Sequence, residues 1–502
     1  MKWSLTLHSI NDIPHSWRTI VKLNKSLLTC AIVMALGINQ QVLAAETEKG
    51  SVEQVQNDFM IDAVGNVILL SQTSESGAVF GNEVILSQEG DNNGINASLN
   101  GESNITEITQ IGADNIAIAT SLGDANTQII TQDGDGNELQ SDLIGNDNEV
   151  NTVQNGTGYL GIDNRTINKM EGDANTLEVE QNEGGQWFYN RDMQGSENTV
   201  TGIQSGEWNE AHIDSVIGDE NTIEVEQDGY YNVTRLTSLQ GNANTLESEQ
   251  DGDRNRVTIA SIDGDENDIE ISQNGDRNSV ESNLFTGSDN EVDLAQVGDS
   301  NESTFDVIGD NNDFNVNQAG DENTSYVGVL GNNNDFTVVQ TGDLNSSHIV
   351  NFNGSDNDID VVQAGDENTA VIQASADDNT LTANANEINL GQSGNQNDAV
   401  VNMSTIIDTN ANSIDLAQSG DLNTLDILVE GSNHTIDIAQ NGNENMVIGA
   451  DSDAMLIGGA SIELSISQTG TGNIVEGSLI SAAGTVEITQ VGDWNTATIV
   501  QQ

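Results

Sequence analysis

Proline and cysteine are almost missing from this 502-residue sequence, with one of each, Pro14 and Cys30, both before residue 45. Past that point the chain has no disulfide staple, no thiol chemistry and no Cys-based zinc site. Basic residues are scarce too: 12 Lys and Arg stand against 81 Asp and Glu, a formal net charge of −69. That balance repels nucleic acid and anionic membrane surfaces and leaves cations, basic partners or hydration as counterparts. Aromatics make up only 4% of the chain, too few for the aromatic groove of a polysaccharide-cleaving enzyme. The one long apolar run, Leu27 to Ile38, is shorter than the roughly 20 residues of a membrane span.

That run has a different use. Lys2, Arg18, Lys22 and Lys25 precede it, and Val42-Leu43-Ala44-Ala45 follows it, the order of a secretory signal. Residues 1–44 are therefore read as a signal peptide and the remainder as a secreted chain. Hydrophobic residues reach only 35%, and so charged a composition ordinarily stays disordered.

What is present is a repeat. Gln-x-Gly recurs in one frame, mostly every 22 or 23 residues, and an Asn five residues after the Gln accompanies nearly every copy. The pairs begin with Gln88 and Asn93, Gln110 and Asn115, and Gln132 and Asn137. After an irregular stretch come Gln204 and Asn209, Gln227 and Asn232, Gln250 and Asn255, and Gln273 and Asn278. The series continues with Gln296 and Asn301, Gln318 and Asn323, Gln340 and Asn345, and Gln363 and Asn368. Gln418 and Asn423, Gln440 and Asn445, and Gln490 and Asn495 complete it. Copies also occur at Gln392 and Gln468; Gln154 lacks the Asn, and Gln181 heads a degenerate copy. A second Gly-x-x-Asn, such as Gly264 to Asn267, divides each unit into halves of about eleven residues. So regular a period means a solenoid or a stacked array.

Each half alternates. In Asn267-Asp-Ile-Glu-Ile-Ser-Gln273 the apolar Ile269 and Ile271 share parity with Asn267 and Gln273, while Glu270 takes the other face. Period two over six residues is a half-buried strand. The Gly-Asp-x-Asn that follows is a turn, because Gly tolerates positive φ and Asn or Asp bonds its own backbone. The turn glycines include Gly90, Gly112, Gly134, Gly275, Gly298, Gly320 and Gly342. The predicted fold is all-β, a solenoid of strand-turn-strand-turn units forming two facing parallel sheets. Stacked at about 4.8 Å, the inward Gln and Asn side chains form amide ladders. The outward acids Glu224, Glu247, Glu270 and Asp293 stack as well and repel by about 1 kcal/mol per neighbour before screening.

The pattern Asn-x5-Gln-x-Gly-x-x-Asn resembles the curlin repeat of bacterial curli subunits. The resemblance covers most of the chain from Gln88 onward. It implies a β-solenoid exported unfolded across the outer membrane and polymerised into an extracellular amyloid fibre of the biofilm matrix. It also implies a nucleator, a chaperone and an outer-membrane export channel as partners, with self as the main one. This chain departs from curli subunits in its greater number of repeats and stronger acidity. Leu99, Ser121, Leu143 or Val307 also replaces the glutamine of the half between copies. The division expected is a leader at 1–44, degenerate repeats at 45–87, a regular solenoid at 88–372, and less regular repeats at 373–502 ending in an uncapped strand. The alternative is a non-polymerising acidic surface adhesin that binds cations or matrix components.

Other features are weaker. In Gln186-Trp-Phe-Tyr-Asn-Arg191, Trp187, Phe188, Tyr189 and Arg191 are either a partner or glycan patch or, as expected, a loop bulging from one rung with its rings packed on the sheet. His212, His348 and His434 lie far apart on predicted strands and suggest no triad or metal cluster. No cofactor is expected beyond loose divalent cation binding at turns such as Asp251-Gly-Asp-Arg-Asn255, which lack the EF-hand spacing. No catalytic residue is proposed.

Overall fold

The computed structural model describes residues 52–56, 65–74, 81–156, 164–374, 381–481 and 483–501. The proposed leader lies outside them. The described chain is a parallel β-solenoid of about 18 turns, in which successive halves feed alternate sheets. One sheet holds every glutamine-bearing strand, from Glu83–Glu89 to Gly484–Val491, preceded by Val52–Gln56. The partner sheet runs from Val67–Thr73 to Thr496–Gln501. Every pairing joins a strand to its equivalent one turn away, with like positions aligned: Gln250 lies against Gln273, and Gln273 against Gln296. The only helical turn among the described residues is a 3-10 turn at Ala450–Ser452.

Alternation settles which side chains enter the core. In Asp268–Asn274 the burial follows the sequence parity: Ile269, Ile271 and Gln273 are buried and Glu270 is exposed. The interior between the sheets is thin, so rings fill it by stacking along the axis. Phe314 lies on Phe336 at 5.3 Å and 13°, and Phe352 meets Phe336 edge-on at 5.8 Å. Such offset and edge contacts add to plain burial.

The turns need glycine for two reasons. Gly275 has φ +120°, and a Cβ there would lie 2.2 Å from the Gly298 carbonyl oxygen of the next rung. Two residues on, Arg277 takes the left-handed conformation at φ 61°, as the corresponding residue of most turns does. The other turn glycines named above also have positive φ.

The sheets differ in how they accept extra residues. From Asn to Asn, the glutamine half takes eleven residues, as in Asn221–Asn232 and Asn267–Asn278. The partner half takes eleven in Asn301–Asn312 but twelve in Asn278–Asn290 and Asn345–Asn357. The twelfth residue is absorbed as a bulge or a split strand. Ser279–Ser282 and Phe285–Thr286 replace one continuous strand, and the pairing shifts between Val327 and Val329.

The aromatic stretch departs from its expected form. Trp187–Gln194 is a strand of the partner sheet, paired with Arg165–Glu171 on one side and Glu210–Ile213 on the other. It does not loop out, because its alternation lets Phe188 enter the core and a bulge between Asn190 and Met193 absorbs the spare residue. Gly202 makes room: a Cβ there would come within 2.1 Å of the Phe188 ring.

Candidate functional site

The candidate site is the interior column of amides. An unbroken glutamine ladder runs from Gln88 to Gln490, each Nε2 donating to the Oε1 of the next rung at 2.8–3.0 Å. The ladder includes Gln154, Gln181, Gln392 and Gln468, so the copy without its Asn and the degenerate copy both hold their rungs. Each amide also reaches across to the facing sheet. Gln273 Nε2 donates to the Arg256 carbonyl at 3.2 Å and Gln250 Nε2 to that of Val233 at 3.3 Å. One side chain thereby joins neighbouring rungs and both sheets.

Asparagine ladders line the two turn columns. Asn278 N–H donates to Asn255 Oδ1 at 3.0 Å, and its Nδ2 donates to the Gly298 carbonyl at 2.8 Å. Its own Oδ1 accepts from Asn301 N–H and Nδ2 at 3.0 and 3.1 Å. Asn267 repeats the arrangement at the opposite turn, with Asn244 below and Asn290 above. These amides are buried, where an unpaired polar group is costly; the ladder satisfies them with copies of themselves.

Two substitutions and one displaced asparagine show what the position demands. Gln186 stands where Asn is usual and donates to the Asn182 and Gly206 carbonyls. Asn164 takes the rung position that residue 159 lacks, its Nδ2 bonding the Glu183 carbonyl at 2.7 Å. His434 replaces an Asn: its N–H donates to Asn412 Oδ1 at 2.8 Å, and its Nδ1 accepts from Ile462 N–H at 3.2 Å. An accepting Nδ1 fits the neutral ring, and burial lowers the His434 pKa.

Sequence reasoning missed a further ladder in the turns. Asp253 N–H donates to Asp276 Oδ1, Asp276 N–H to Asp299 Oδ1, and Asp299 N–H to Asp321 Oδ1, at 2.9–3.0 Å. The Asp of Gly-Asp-x-Asn therefore bonds the rung before it, not its own backbone. Its recurrence at one position in successive turns was the available signal. These oxygens are the ones proposed for loose cation binding, and one of each pair is already engaged. Among the described residues, no group of three or more His, Asp or Glu is arranged to hold a metal ion.

Outside, the acids stack as aligned columns. Glu224, Glu247, Glu270 and Asp293 are successive partners. A longer column, Asp268, Glu291, Asp313, Asp335, Asp358 and Glu387, lies one position into the strands. Asp313 beside Glu291 pushes its carboxyl up, with burial adding to the effect. Burial, then neighbouring acids, raises Glu247, Asp313, Asp335 and Asp358.

The aromatic stretch is divided between inside and outside. Phe188 is fully buried and cannot meet a partner. Trp187, Tyr189 and Arg191 have the outward parity, but Tyr189 is itself buried; Arg191 sits over its ring at 4.7 Å and pairs with Asp214. Tyr189 in turn packs on His212 at 4.9 Å.

The family model of the curlin-associated repeat matches the chain at residues 195–229, 241–275, 287–320, 315–342 and 354–384. Each of the first three matches begins and ends at a turn glycine and spans two glutamine strands with the partner strands between them. The repeats in these stretches are curlin-associated repeats. No curated protein matches the chain.

Proposed function

We propose that the chain is a secreted structural protein that self-assembles into a curli-like extracellular amyloid fibre of the biofilm matrix, where it serves adhesion and aggregation. The observation that carries this reading is that each rung's hydrogen-bonding partner is another copy of the same rung. Gln250, Gln273 and Gln296 use equivalent atoms in equivalent directions, so a rung of a second molecule can extend the ladder as readily as a rung of the first. Parallel in-register stacking with buried amide ladders is the arrangement of cross-β fibres. A curlin-type nucleator, chaperone and export channel are the partners this reading calls for.

The test is incubation of the purified secreted chain with an amyloid dye, electron microscopy and fibre diffraction. Fibres with a meridional reflection near 4.7–4.8 Å are expected. Monodisperse rods that never elongate would overturn the reading and favour the acidic, cation-binding adhesin.

A further inference from the structure

The seven basic residues between Arg165 and Arg277 are the last in the chain; beyond Arg277 there is none. Arg165, Lys169 and Arg191 are paired with Glu138, with Glu171 and Asp192, and with Asp214. Arg235, Arg254, Arg256 and Arg277 form no ion pair among the described residues. For a molecule with a net charge of −69, four arginines without carboxylates call for an explanation.

The placement of two of them, Arg254 and Arg277, supplies one. Trp208, Tyr231, Arg254 and Arg277 occupy the same left-handed position of four successive turns, the column leading from the glutamine sheet into the partner sheet. Backbone bonds from Tyr231 N–H to Glu207 O, Arg254 N–H to Tyr230 O and Arg277 N–H to Asp253 O hold them one above another. Trp208 stacks on Tyr231 at 5.6 Å and 25°, and Tyr230 meets Tyr231 edge-on at 4.4 Å. Arg254 and Arg277 are exposed, and Tyr231 is 41% exposed. The result is an aromatic shoulder followed by two guanidinium groups one rung apart.

The complementary surface is on the same molecule but on another face. Glu291, Asp313, Asp335 and Asp358 present exposed carboxylates on successive rungs, also one rung apart. Arginine and carboxylate columns with one common spacing of about 4.8 Å can pair one to one, and the bidentate fit of guanidinium to carboxylate favours that match. We infer that the edge formed by Trp208, Tyr231, Arg254 and Arg277 docks onto the carboxylate column of a second copy of this chain, joining solenoids side by side with a stagger. The donor edge and the acceptor column are different surfaces, one at the turn after the glutamine strand and the other at the start of that strand. The contact is therefore heterologous, and each copy keeps one free donor edge and one free acceptor column for further copies to join sideways. It governs fibre width and stands whether or not rungs join end to end, which governs fibre length.

The test measures association of the full secreted chain by sedimentation and bundle width by electron microscopy. At about 0.1 M salt side-by-side association is expected, and at about 1 M, where the Debye length falls to about 3 Å, it is lost. Arg254→Glu with Arg277→Glu is expected to weaken association about tenfold or more, as is Asp313→Lys with Asp335→Lys. Mixing the two variants is expected to restore association, because the swapped charges match each other and each chain keeps one native surface. The exposed Arg277→Gln replacement, which introduces no repulsion, gives a smaller loss and covers the case of a charge-reversed chain that fails to fold. Wild-type association by Arg254→Glu with Arg277→Glu would overturn the inference. So would unchanged self-association together with lost retention on an immobilised polyuronate, which would make an acidic polysaccharide the occupant.

Discussion

In the glutamine sheet, strands from Glu83–Glu89 to Gly484–Val491 stack with the glutamine at one level throughout. In the partner sheet the same turn chemistry borders bulges, split strands and longer excursions. Asn368 to Asn386 takes eighteen residues and Asn397 to Asn412 fifteen, both in the partner half. The glutamine half exceeds eleven at Asn148 to Asn164, where the added residues follow the strand Glu149–Asn155. A strand whose side chain bonds the rungs on both sides cannot shift by one residue, since a slip turns its whole inward set outward. A strand held by backbone bonds and apolar packing can bulge.

The partner half still has to satisfy what it inserts. The loop after Met403 is held by the buried Glu430, whose carboxylate accepts from the N–H groups of Thr405, Ile406 and Ile407 at 2.9–3.0 Å. The anchor comes from the next rung of the partner sheet, Thr424–Ser432.

Inserting one residue tests this contrast most severely. An alanine added after Ile271, in the glutamine half, is expected to remove roughly 5 kcal/mol or more by disrupting the ladder. The same addition after Phe305, in an eleven-residue partner half, creates the bulge already present at Asn278–Asn290 and costs roughly 1–2 kcal/mol. Thermal unfolding of the two variants reads the difference, and equal losses would end the distinction between the sheets.

Polar replacement gives the next largest effect. Gln273→Leu keeps the volume but leaves Gln250 Nε2 with only the Val233 carbonyl and Gln296 Oε1 without its donor, a loss of about 2–3 kcal/mol. In the partner sheet, Ser303, Ser325 and Ser347 stack on one another, and their buried hydroxyls have no hydrogen-bond partner among the described residues. Ser325→Ala is therefore expected to be neutral or stabilising by up to about 1 kcal/mol. Hydrogen exchange at the affected rungs would locate both effects.

Acidity gives a smaller, distributed change. Glu247, Glu291, Asp313, Asp335 and Asp358 have raised carboxyl pKa values in the fold, so the folded chain binds protons more tightly than the unfolded one. Stability contributed this way is present below the unfolded value of about 4 and is lost as pH rises through the raised folded values. Melting temperature is expected to rise as pH falls from neutral toward about 4, and salt at neutral pH should have the same sign by screening. A flat profile would show that the stacked columns do not repel.

The smallest effect runs the other way. The His434 pKa is lowered, so its rung is favoured above the unfolded value of about 6.5 and weakened as pH falls below it. His434→Asn is expected to abolish the local rise in hydrogen exchange near Ile462 at about pH 5 and leave the remaining rungs unchanged.

The strands, their inward parity, the turn glycines and the glutamine ladder were legible because each repeats at a fixed offset. The aromatic stretch was harder to read. Its rings suggested a loop, yet whether Trp187–Gln194 could lie flat depended on Gly202, across the core in the other sheet. The turn aspartate ladder was misread for a related reason: local chemistry offers Asp its own backbone, and only stacking brings the previous rung's N–H within reach.

By itself, the sequence determined the unit: its length, its alternation, and amides on the same side as the apolar residues. Those are properties of neighbours along the chain, which periodicity records directly. Tertiary structure decided that Gln154 and Gln181 still align across an irregular gap, that bulges and split strands fall in the partner sheet, and which carboxylates and arginines share a column. These depend on contacts between residues some 22 or more positions apart, where one turn of the solenoid sets the partner and no local pattern names it.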